Sequence, residues 1–190
     1  MTEFRFVQIT LVIILGFGVT EILRNIGGQI RRRKEIEVYP LQIVVSCSLL
    51  FFILLWLWSF SQSIDVTWTL PIFLLQVLPT IALALSAQII GMDFNSTKSS
   101  KQQYFDNCTA TYLILAIVPL LSVFTTTTNS EYMPFTRNHL MLINIGRFVV
   151  TGITASLGFI KKPLYHWSVV IGLLIINFGS ALTFIFRLKF

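Results

Sequence analysis

The amino-acid sequence predicts an all-α polytopic integral membrane protein, a bundle of about six transmembrane helices forming one transmembrane domain over residues 1–190. Composition is the first reason: 55% of residues are hydrophobic, 12% are charged and mean hydropathy is +0.78. Soluble domains hold about 45–50% apolar residues against roughly 25% charged ones. Segmentation is the second reason, since the apolar residues fall into six largely uncharged runs near the roughly 20 residues that cross about 30 Å of hydrocarbon. The third is continuity. Runs such as Leu49-Leu50-Phe51-Phe52-Ile53-Leu54-Leu55 do not alternate as barrel strands do, and helices pair their own backbone groups within the segment.

The first segment runs from about Phe6 to Leu23, with Arg5 before it and Gly16 and Gly18 inside it. No small-residue cleavage site closes it, so a retained helix is expected rather than a secretory signal. The second, from Leu41 to Phe60, ends in Trp56 and Trp58, and Trp68 introduces the third, from Thr69 to Ile90. Tryptophans mark the membrane interface. The third segment contains Pro71 and Pro79, with Gln76, Thr80, Ala84 and Gln88 at four-residue steps. The fourth, from Thr109 to about Thr126, contains Pro119. The fifth runs from Leu140 to Ile160 and the sixth from Trp167 to Phe186. Asn177, Gly172 and Gly179 in the sixth suit close helix packing.

Lysine and arginine in alternate connections set the orientation, because short basic loops stay cytoplasmic. Arg24, Arg31, Arg32, Arg33, Lys34, Lys98, Lys101, Lys161 and Lys162 belong to the first, third and fifth connections, nine of the 14 basic residues. Arg5, Arg137, Arg187 and Lys189 lie on the opposite side. Both termini are therefore expected away from the cytoplasm in a cell inner membrane. The run Arg31-Arg32-Arg33-Lys34 is a candidate contact for anionic lipid, where each charge gains about 1 kcal/mol near an anionic leaflet. Glu35 and Glu37 follow it, and the net charge of +6 needs no nucleic acid to explain it.

The remaining basic residue is Arg147, inside the fifth segment. A charge at that depth costs from about 2.5 to above 10 kcal/mol unless it faces protein, water or an acid. Three- and four-residue steps place Asn144, Arg147, Thr151, Thr154 or Ala155, and Gly158 on one face of the helix. Ile143, Val150, Ile153, Leu157 and Ile160 lie on the other. The polar stripe Asn144, Arg147 and Thr151 could line an aqueous path that favours anions. Alternatively, Gly152, Ala155, Ser156 and Gly158 allow close helix approach while Arg147 bonds to carbonyls. No acid shares its depth, and Glu21 with Arg24 suits an ion pair along one helix.

Catalytic patterns are lacking. His139 and His166 fall at opposite ends of the membrane, and there is no H-E-x-x-H, P-loop, nucleophile elbow or paired-aspartate pattern. Cys47 and Cys108 have neither disulfide nor metal-ligand spacing. A non-enzymatic protein with no cofactor and no metal is expected.

Gly16-Phe17-Gly18-Val19-Thr20, the turn Ile30-Arg31-Arg32-Arg33 followed by Tyr39, Trp56-Leu57-Trp58, and Trp68-Thr69 leading to Phe73 carry a resemblance over residues 14–90. On them the chain resembles a group of small, uncharacterised bacterial polytopic inner-membrane proteins. The resemblance implies a bacterial inner-membrane setting and no particular activity. Together these readings predict an integral membrane subunit of a larger homo- or hetero-oligomeric assembly, partnered by membrane lipids and by other membrane-protein subunits or copies of itself. A small channel or transporter built on the fifth-helix stripe is the first alternative. A membrane-perturbing effector of a bacterial defence system is the second.

Overall fold

Six helices follow one another in the computed structural model of the chain, which describes residues 3–34, 37–61, 68–94, 96, 98–128 and 137–187. They are α1 (Glu3–Arg31), α2 (Pro40–Ser61), α3 (Leu70–Ile89), α4 (Ser100–Thr128), α5 (Arg137–Phe159) and α6 (Pro163–Arg187), with no strand among the described residues. Proline opens α2 and α6 and sits in the first turn of α3. Its fixed φ and missing N–H suit positions whose donors have no intrahelical partner. Five helices, α1 to α5, are long and apolar enough to cross a membrane. The sixth is 25 residues long and apolar over Pro163–Ile176.

The helices overrun the apolar segments chiefly at one end. Helix α1 continues eight residues past Leu23, to Arg31, and α4 begins nine residues before Thr109, at Ser100. Hydropathy marks where hydrocarbon ends, whereas backbone hydrogen bonding continues into water; polar turns therefore project beyond the spans.

Helix α4 packs between α3 and α5, α1 packs on α3 and α2, and α6 lies against α2 and α5. The main core joins Leu15 and Ile22 of α1, Ile53 of α2, Leu83 of α3, Tyr104 of α4 and Leu157 of α5. A glycine sets the α1–α3 approach: a Cβ at Gly18 would stand 3.1 Å from the Cα of Ala84. Gly158 does the same for α5 on α4, 3.3 Å from the Thr109 carbonyl oxygen. Small residues allow this proximity where lipid provides no hydrophobic drive between helices.

Outside, the surface is apolar. Phe17, Leu54, Leu78, Leu113, Phe148 and Ile175 are exposed, one from each helix. A belt of this kind has its natural solvent in hydrocarbon rather than water.

Candidate functional site

The first, third and fifth connections meet at one end of the bundle, where a polar network ties them together. Asn25 of α1 accepts the Met92 N–H (3.2 Å) and the Gln29 amide (3.1 Å) through Oδ1. Gln42 of α2 donates to the Ile90 carbonyl at 2.9 Å, Gln103 of α4 accepts the Asp93 N–H at 2.9 Å, and Ser100 donates to the Glu37 carbonyl. Asn25 Nδ2, Gln29 Oε1 and Gln42 Oε1 are buried without a protein partner. Tyr39 packs at tilted angles against Tyr104 and Phe105 here, and burial pushes its phenol above the ordinary value.

Of the four basic residues predicted to meet anionic lipid, Arg31, Arg33 and Lys34 are exposed at this end. Arg32 is also exposed but engaged. Its guanidinium carbon lies 5.3 Å from the Phe94 ring centroid, and Nη1 donates to the Phe94 carbonyl at 3.4 Å. Phe94 lies over Gly28, where a Cβ would come within 2.3 Å of the ring. Beside this turn opens a polar cleft lined by Glu21, Arg24, Gln88, Asp93 and Asn107. The expected Glu21–Arg24 ion pair is formed in it, at 2.6 Å.

Among the described residues, the fifth-helix stripe meets α4. Arg147 lies half-buried about 15 Å along α5, at 1.5 Å per residue from Arg137, and donates through Nη1 to the Ser122 carbonyl of α4 at 2.6 Å. Thr151 turns back to donate to the Arg147 carbonyl at 2.8 Å, and Asn144 keeps Oδ1 buried without a hydrogen bond. Two turns beyond Thr151, Thr109 of α4 donates to the Gly158 carbonyl at 2.6 Å. Contacts of this kind are what the close-packing use of the stripe requires. The opposite stripe divides: Ile153 and Ile160 face outward, but Leu157 is fully buried. Of the small residues, Gly158 touches α4 and Gly152 touches nothing within 4 Å.

Sequence reasoning missed a buried chain of hydrogen bonds between α4 and α6. Tyr112 and Tyr104 hydroxyls lie 2.8 Å apart, Tyr104 lies 2.8 Å from His166 Nδ1, and His166 Nε2 lies 2.8 Å from the Ile160 carbonyl. A carbonyl oxygen only accepts, so Nε2 carries the proton and Nδ1 of the neutral ring accepts from Tyr104. Tyr104 then accepts from Tyr112, and every proton in the chain is committed. The four-residue steps Tyr104, Cys108, Tyr112 were the available signal, since they put two phenols and a thiol on one face. Nothing in the sequence pairs that face with His166.

Above the chain, Tyr112 borders a largely apolar cavity of about 120 Å³ between α2, α4, α5 and α6. Leu49, Phe52, Leu115, Val150 and Val170 form much of its wall, and Ser48, Tyr112 and Thr154 also line it.

Helices of spanning length, an apolar exterior and internally bonded polar groups define a polytopic helical membrane bundle. No protein-family profile, curated protein or solved structure matches this chain.

Proposed function

We propose that the chain is a non-enzymatic subunit of a larger assembly in a bacterial inner membrane, with its basic connections on the cytoplasmic face and both termini opposite. The observation that carries this reading is the division among its glycines. Gly18, Gly28 and Gly158 face inward and receive a neighbour at distances a Cβ would crowd. Among the described residues, Gly146 and Gly152 of α5 and Gly172 and Gly179 of α6 have nothing within 4 Å of a Cβ position, as is also true of Gly16 and Gly27 of α1. Lipid-exposed small residues give another helix room for close contact. The same device that joins α1 to α3 is thus left open on α5 and α6.

Arg147 supports the same reading over the channel alternative, because its bond to the Ser122 carbonyl uses the charge to hold α4 and α5. The exposed Arg31, Arg33 and Lys34 suit an anionic leaflet. Native mass spectrometry of the protein released gently from its own membranes tests the proposal. A particle heavier than the 21.7 kDa chain is expected, reduced by Gly152→Leu, and a lone chain from wild-type membranes would refute it. If liposome flux appeared for wild type and vanished in Arg147→Leu, the channel reading would replace it.

A further inference from the structure

Helix α6 packs unevenly along its length. Among the described residues it lies on α2 and α5 but not on α4. At the polar end side chains bridge the gap to α4, where Tyr104 bonds to His166. Farther along, the cavity of about 120 Å³ comes between the two helices, lined by Leu115 and Val118 of α4 and by Val170 and Leu174 of α6. Protein interiors are close-packed, and a void forfeits the dispersion contacts of the side chains around it. Three observations choose what fills this one. The wall is largely apolar, and Ser48 and Tyr112 on it are engaged with protein: Ser48 donates to the Val44 carbonyl at 2.6 Å, and the Tyr112 hydroxyl lies 2.8 Å from that of Tyr104. Apolar cavities stay dry, because water needs several polar partners. Next, the lining residues all fall within the apolar stretches Pro40–Trp58, Ser100–Phe124, Met141–Phe159 and Pro163–Ile176. The medium at the half-buried Phe51, Leu115 and Leu173 of its rim is therefore hydrocarbon. Last, about 120 Å³ is less than the roughly 150 Å³ of an engineered apolar cavity that takes up benzene, which suits a linear chain and excludes fused rings.

We propose that an acyl chain of a bilayer lipid occupies this cavity, inserted between α4 and α6 from the surrounding hydrocarbon and completing the packing that α6 lacks on α4. A run of methylenes gives the aliphatic wall its dispersion contacts and buries no polar group in doing so. The headgroup stays at the membrane surface, so the site selects the shape of the chain and not its charge. This lipid would serve α6 whether or not the protein joins a larger assembly.

The test uses the full chain in vesicles of phosphatidylethanolamine and phosphatidylglycerol, with a small share of phosphatidylethanolamine carrying a photoreactive diazirine midway along one acyl chain. Mass spectrometry of the peptides reads the label residue by residue. The exposed Leu54 and Phe148 should be labelled as part of the lipid-facing belt. Val118 and Val170, 1% and 5% exposed but on the cavity wall, should be labelled too, whereas Leu15 and Leu83, equally buried but not on that wall, should not. Val170→Phe fills the cavity and should remove the label at Val118 while Leu54 and Phe148 keep theirs. Leu115→Ala enlarges the cavity and should raise the label at Val118, which keeps the test open if Val170→Phe fails to fold. Absence of label at Val118 and Val170 in the wild-type protein would overturn the proposal, as would a label there that neither substitution changes. Stronger labelling of Val118 by a diazirine sterol than by the acyl probe would overturn the choice of a linear occupant.

Discussion

At one end of the bundle Asn25, Gln42, Gln103 and the chain from Tyr112 to His166 join the connections through directed bonds. At the other, Phe4 and Phe60 stack 5.6 Å apart at an interplanar angle of 6°, and Trp68 packs tilted against Phe60 at the same distance. Val7, Leu11 and Val77 complete that second cluster. The aromatic end is held by volume and shape, which tolerate a substitution of similar size and punish a void. The polar end is held by orientation, which punishes loss of a single atom even where shape is unchanged.

The largest effect is expected at the aromatic end. Phe60→Ala opens a void in a side chain only 5% exposed and should cost about 3 kcal/mol, read from the unfolding midpoint in detergent, whereas Phe60→Leu should cost less than about 1.5 kcal/mol. Next comes Tyr104→Phe, which keeps the ring but leaves His166 Nδ1 and the Tyr112 proton without their partner. A loss of about 1–3 kcal/mol is expected, and a neutral outcome would mean that the chain contributes no order. Gln42→Leu should cost less than about 1 kcal/mol, because it gives up the bond to Ile90 but also removes the unpartnered Oε1. Smallest is Arg33→Gln, exposed at the polar end and expected within about 0.5 kcal/mol of wild type. If Phe60→Leu proved more damaging than Tyr104→Phe, the contrast between the two ends would be reversed.

How much of this was legible in the sequence depends on the range of the signal. Six helices were readable because each span is a continuous run set by bilayer thickness, a local property. Their true ends were not, since Arg24 to Arg31 and Ser100 to Cys108 are helical without being apolar. Arg147 was identifiable as a charge needing a partner, but the partner found among the described residues is a backbone carbonyl, that of Ser122. Every residue has a carbonyl, so no pattern of side chains could single it out. His166 read as one histidine at a helix end, and its role arises only where α6 meets Tyr104 across 62 positions. Periodicity puts Leu157 on the face opposite the polar stripe, yet α5 buries it along with Thr154 and Gly158, because packing against α4 covers a wider arc than the polar stripe alone.

The proposal that the basic, hydrogen-bonded end of the bundle faces the cytoplasm is tested most directly by single cysteines placed in a chain lacking Cys47 and Cys108. A membrane-impermeant maleimide applied to intact cells should leave Lys34→Cys and Lys162→Cys unlabelled until the membrane is opened, and should label Thr69→Cys, exposed before α3, at once. Labelling of Lys34→Cys and Lys162→Cys from outside, with Thr69→Cys shielded, would contradict it.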